Sequence, residues 1–221
     1  MPVEGFNPVK VRDFVTGIQM TLGCRIASAV VFDRDYRSVA ECSEVEGTLK
    51  KYCVFARIHS RKELENFLLN PAALRRAIEA RLQEQTERTG KSTSFTENMA
   101  ELLEQVTAPM RNMVLARCLE RRRISEKHVN REVAEETIFQ QAMEEYDGCW
   151  SNIWERLKLV PGKETFAKLN KWLQEAYGVT ISTTLVIECF RKDEIDPEMV
   201  ELVDLIDKFR FASPDLAPKT A

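Results

Sequence analysis

The sequence predicts an α/β fold, an incomplete parallel sheet followed by a largely helical C-terminal part. Three observations carry this. A strand is expected at 27–33, where Ala29–Phe32 are apolar at consecutive positions, the mark of a strand buried on both faces. A second such run, Cys53–Ile58, follows an amphipathic stretch at 39–52, giving the strand–helix–strand order of a parallel sheet. From residue 71 to 147 the periodicity is helical almost throughout.

The composition bounds the function. The chain has 221 residues, 30% of them charged, with a net charge of -3, so no global basic field argues for nucleic acid. Contact with DNA has to come from a local patch or a bound metal. The six cysteines form no CxxC pair, and with only two histidines, His59 and His128, a His-rich metal site is excluded. Reduced cytoplasmic thiols are the expectation. No apolar run reaches the ~18 residues of a membrane span, and the N-terminus lacks the apolar core of a signal peptide.

Along the chain, residues 1–9 carry Pro2, Gly5 and Pro8 and read as a strand end plus a loop. Residues 9–22 have helical spacing, with Gly23 as the stop. The first strand ends in Asp33-Arg34-Asp35. If the strand continues that far, the two aspartates share a face at its C-terminal end, where open α/β sheets place their ligands. Two carboxylates that close call for a cation between them, Mg²⁺ or Mn²⁺ being the usual answer; a solvated Asp-Arg-Asp turn is the plainer reading.

After the second strand, Ser60 followed by Glu63 has the spacing of a capping box, so a helix is expected to start there and Glu63 has a structural role open to it. Glu65 lies in the first turn past a strand end and has no such role. Helices are expected at Ala72–Gln85, Thr96–Arg122 and Asn130–Tyr146, with a polar loop at Glu87–Ser94. The basic run Arg117–Arg123 is either a solvated helix end or a phosphate-contacting patch. Trp150 and Trp154, four apart, suit helix packing. Gly90-Lys91-Ser92-Thr93 imitates the end of a phosphate-binding loop, but Gln85 stands where the first glycine belongs and no buried strand precedes it. Pro161-Gly162 followed by Phe166, Leu169, Trp172 and Leu173 marks a turn opening a helix, with Lys163 at its N-terminus. A lysine there opposes the helix dipole unless both point at a phosphate. Thr180–Phe209 reads as one or two helices.

In this order, VVFDRDYRS (30–38), SRKELENFLLNP (60–71), VPGKETFAKLNKWLQ (160–174) and the acidic Asp193–Glu198 resemble the C-terminal Toprim region of OLD-type nucleases, whose complete members carry an ABC-type ATPase ahead of it. The resemblance spans roughly residues 5–205, and the order of the pieces carries it. It implies an incomplete Toprim-like sheet. It implies Mg²⁺ or Mn²⁺ held by Asp33, Asp35 and Glu65, with Glu63 second to Glu65. It implies catalytic roles for Glu65 and Lys163, the lysine near the scissile phosphate, with DNA as the substrate. The organisation expected is a partial Toprim-like α/β core at 1–70, a helical insertion at 71–158, a C-terminal helical segment at 159–211 completing the Toprim region, and a frayed tail at 212–221.

Val3-Glu4-Gly5-Phe6-Asn7-Pro8 departs from the family's opening Glu-Gly-x-x-Asp, because Pro8 stands in the aspartate's place and only one helix separates Glu4 from Asp33. These residues better match the loop after the second Toprim strand, so the first strand, its glutamate and the ATPase are expected outside this chain. The alternatives are a catalytically incomplete accessory or DNA-docking module, acting as a homo-oligomer or with a separate ATPase subunit, and a haloacid-dehalogenase-like phosphatase. Arg37, two residues after the second aspartate, counts against the phosphatase.

Overall fold

The computed structural model describes residues 7–129 and 134–211. The chain runs α1 (Pro8–Leu22), β1 (Ala29–Phe32), α2 (Val39–Leu49), β2 (Phe55–Ile58), a 3₁₀ turn (Leu64–Leu68), α3 (Pro71–Thr89) and α4 (Met99–Thr107). A second 3₁₀ turn (Ala108–Met110) leads into α5 (Arg111–Val129), α6 (Glu135–Ser151), α7 (Ile153–Leu159), α8 (Gly162–Tyr177) and α9 (Thr183–Glu188). A third 3₁₀ turn (Lys192–Glu194) and α10 (Pro197–Arg210) complete it. The structure is thus mainly helical with a small parallel sheet. The expected strand end at the N-terminus and the frayed tail at 212–221 lie outside the described residues.

Two compact units divide the chain. Unit 1 is discontinuous, Met1–Ser60 with Asp196–Ala221, and unit 2 is Arg61–Ile195. The closing acidic segment is therefore cut between Ile195 and Asp196, and α10 belongs with the sheet.

In unit 1, β1 and β2 pair in parallel, Ala29 with Phe55 through Phe32 with Ile58. The crossover helix α2 starts on a true capping box, Ser38 and Glu41 bonding each other's backbone. Alternation along the strands sends Val30, Phe32, Ala56 and Ile58 into a core shared with Val11, Val15, Leu49 and Cys53. On the opposite face α10 covers the sheet, with Phe209 edge-on to Phe55 at 5.9 Å and Arg57 paired with Glu201. Helices thus lie on both faces of the sheet, which is why both strands read as near-continuous apolar runs.

Unit 2 is helical. Leu74, Ile78, Leu82, Leu103, Met110, Val114, Leu169, Leu173 and Val186 are fully enclosed. The helix expected over Thr96–Arg122 is two helices, because Pro109 lacks an N–H and breaks the ladder at a 3₁₀ turn. The loop expected from Glu87 starts later, since α3 runs to Thr89 and ends on Gly90 in the left-handed region, φ 73°. α5 and α6 lie antiparallel, tied by Arg111–Asp147 at one end and Arg123–Glu135 at the other.

Candidate functional site

The candidate residues fall on both units, and each group is built separately. In unit 1, β1 stops at Phe32, one residue short of Asp33, and the chain turns at Asp35–Tyr36. The strand alternation expected to align Asp33 with Asp35 therefore does not reach them. Asp35 has φ 51°, a left-handed conformation that aspartate tolerates better than most residues. Two arginines shape this turn. Arg34 Nε donates to Arg37 O at 2.7 Å and its guanidinium reaches Ser60 O at 2.9 Å. Arg37, largely buried, donates to Asp35 Oδ2 at 3.0 Å and to Arg34 O at 3.2 Å. Part of the carboxylate repulsion is thus offset by Arg37 within the turn itself.

At the end of β2, the expected capping box at Ser60 does not form. Ser60 gives both its backbone N–H (2.9 Å) and its hydroxyl to the Glu198 carboxylate. The hydroxyl hydrogen goes to a charged acceptor, and the Glu63 N–H that a cap at Ser60 would receive is given to Asn66 Oδ1. Buried His59 places Nδ1 3.5 Å from Glu198 Oε1. Burial pushes the Glu198 carboxyl up, but the bonds from His59 and Ser60 outweigh it and bring it down to about 2. Sequence reasoning missed this role. The signal was there in Asp196-Pro197-Glu198, an N-cap, a proline at the first helical position and an acid in the first turn.

In unit 2 the local order is set by Asn66, which is fully buried. Its Nδ2 donates to Leu157 O (2.7 Å) and Val160 O (2.8 Å), and its Oδ1 accepts from Glu63 N at 2.9 Å. Glu63 and Asn66 thereby cap the Leu64–Leu68 turn, displacing the helix start expected at Ser60. The Glu63 carboxylate binds the Lys62 ammonium and accepts the backbone N–H of Lys163 at 3.1 Å, at the N-terminus of α8. Burial raises the Glu63 carboxyl, but Lys62 and that backbone N–H prevail and leave it below the usual range. Glu63 is thus engaged in structure.

Glu65 is differently placed. Its Oε1 lies 3.5 Å from Lys163 Nζ, with the lysine 68% and the glutamate 28% exposed. Gly162 makes this approach possible. A Cβ there would stand 2.9 Å from Asn66 N and 3.1 Å from the Glu65 carbonyl carbon. The Pro161-Gly162 pair is therefore required by close backbone contact as well as by the turn. Glu65 and Lys163, far apart in sequence, meet at a helix N-terminus with the lysine open to solvent.

The basic run is not an open patch at its centre. Arg122 pairs with Glu126 and Glu145, and Arg123 with Glu135 at 3.9 Å. Trp150 is buried and stacked on Tyr146 at 5.4 Å. Gly90 caps a helix and follows no strand, as expected for the imitation phosphate loop. Among the described residues no group of three or more His, Cys, Asp or Glu is disposed to hold a metal, and no helix is long and apolar enough to cross a membrane.

Comparison with protein-family models, with curated proteins and with solved structures finds no match for this chain.

Proposed function

We propose that this chain carries part of a divalent-metal-dependent phosphodiester hydrolase acting on DNA, of the Toprim type found in OLD-type nucleases, in defence against foreign DNA. One observation supports the reading most. Glu65 and Lys163, matched to the family on separate motifs, stand 3.5 Å apart at the start of α8. A lysine and a helix N-terminus together favour an oxyanion, so a DNA phosphate is a fitting ligand.

The carboxylate donors would suit such a metal in kind. Mg²⁺ and Mn²⁺ take hard oxygen ligands, and Mg²⁺ is commonly held by one or two carboxylates plus water and substrate phosphate. Asp33 and Asp35 after β1 offer two such carboxylates in unit 1. A bound metal supplies an activated water and neutralises charge building on the phosphate. Lys163 binds and orients the phosphate and stabilises its transition-state charge. Glu65 holds the lysine in place. Arg34 and Arg37 fix the turn that carries the aspartates.

A second reading, a catalytically incomplete accessory or DNA-docking module, is favoured by the pairing of Asp35 with Arg37 and of Glu65 with Lys163. Plasmid nicking in Mg²⁺ and in Mn²⁺ separates the two. Cleavage by the wild type, lost in the Asp33→Asn/Asp35→Asn double variant, supports hydrolysis. DNA binding with no nicking in either metal replaces it with the docking module.

A further inference from the structure

Among the described residues the outer edge of β1 in unit 1 carries no further strand, and that edge lies in an apolar groove. Among the described residues β1 pairs only with β2. The ladder takes Ser28 O and Phe32 O toward the β2 side, where they accept from Val54 N (2.7 Å) and His59 N (3.1 Å). Successive residues of a parallel strand present their N–H and C=O to opposite sides, so Ala29 and Val31 direct theirs away from β2. They face a groove of about 570 Å³, walled on one side by Val11, Phe14 and Val15 of α1 and on the other by Phe209 of α10. Phe14 is 40% and Val31 38% exposed.

We propose that this groove receives a β-strand from another polypeptide, an uncharged β-branched segment of about five or six residues, the usual strand length, that pairs with β1 by main-chain hydrogen bonds. The lining specifies the chemistry. Every residue of the groove is uncharged, so a charged occupant would be desolvated without a partner. The walls are apolar on both faces of the sheet, so the incoming strand needs apolar side chains at odd and even positions alike, unlike an alternating surface strand. The outward N–H and C=O of Ala29 and Val31 select an extended backbone over a helix, whose own groups are already bonded. A second copy of this chain does not suit the edge, because its own β1 is sunk between the same two helices. The inference concerns unit 1 alone and does not depend on the hydrolase reading.

The test uses the full chain, with an uncharged hexapeptide of valine, isoleucine and threonine, and with a lysine–valine alternating hexapeptide. Binding is read by fluorescence anisotropy, and edge pairing by amide exchange at Ala29 and Val31. The expected result is saturable binding of the uncharged peptide only, slowing exchange at those two amides by about tenfold or more. Val31→Pro removes an outward N–H without touching the β1–β2 ladder, and it abolishes binding. Should that variant unfold, Val31→Lys places a charge in the groove with the backbone intact and weakens binding by about tenfold or more. The proposal is overturned by no binding of the uncharged peptide, equal binding of the alternating peptide, binding unchanged in the variants, or Ala29 and Val31 amides already protected in the chain alone. Concentration-dependent protection of those amides without peptide also overturns it, and reassigns the edge to a second copy.

Discussion

The Lys163 ammonium stands 3.5 Å from the Glu65 carboxylate at the head of α8, and the lysine remains largely in solvent. An exposed pair of this kind adds little to folding, typically under ~1 kcal/mol. Lys163→Ala is therefore expected to leave the urea unfolding midpoint nearly unchanged. If the hydrolase reading holds, the same variant lowers plasmid nicking by about 10²-fold or more, the scale of losing one transition-state charge partner. A parallel fall in stability and nicking would mean the lysine is structural.

Gly162 is predicted to be sensitive for a steric reason alone. An added Cβ meets the Asn66 amide nitrogen and the Glu65 carbonyl carbon, backbone atoms that cannot swing aside. Gly162→Ala should cost ~1–3 kcal/mol, the range for overpacking, measured by urea denaturation. A neutral result would mean the Pro161 turn relaxes freely.

Asn66 separates shape from hydrogen bonding. Its Nδ2 satisfies two buried carbonyls, Leu157 O and Val160 O. Asn66→Asp keeps the outline but turns an acceptor toward those carbonyls, so it should destabilise by ~2–4 kcal/mol, and more at neutral pH than at pH 4. No loss at either pH would show that cavity shape, not polarity, is what the site requires.

Glu198 gives unit 1 an acid-sensitive fastening. Its carboxyl titrates at about 2 in the fold against 4.5 ordinarily. Because the folded value is depressed, the stabilisation is complete above 4.5 and drains away as pH falls toward 2. The fall from 4.5 to about 2 corresponds to ~3 kcal/mol. Glu198→Gln should therefore destabilise at pH 7, and wild type and variant should converge only near pH 2. Melting curves across that range that stay parallel would refute the linkage.

The fold was legible in the sequence where local chemistry agrees with tertiary packing. The β1–α2–β2 unit followed from two apolar runs around a helix, and α8 from Pro161-Gly162. Ser60 was misread because spacing alone does not show that the Glu63 N–H is taken by Asn66 and the Ser60 hydroxyl by a carboxylate of α10. The break at Pro109 was visible as a proline inside a helical period and was passed over. The Glu65–Lys163 pairing could be expected only by resemblance, since periodicity carries no information about contacts across a unit. The turn after Phe32 was one of two readings open in the sequence, since aspartate fits strand ends and left-handed turns alike.

The interleaving of the two units along the chain has a consequence for synthesis. Ribosomes deliver residues in order, and α10, which supplies Phe209, Glu201 and Glu198 to the sheet, is among the last helices to emerge. At ~5–20 residues per second, the first strands wait several seconds for their cover while unit 2 is made. During that interval the apolar face of β1 and β2 is a surface for chaperones to shield. A premature stop before residue 196 would leave unit 2 whole and unit 1 permanently uncovered, so truncated products should be sorted by aggregation rather than by loss of helix.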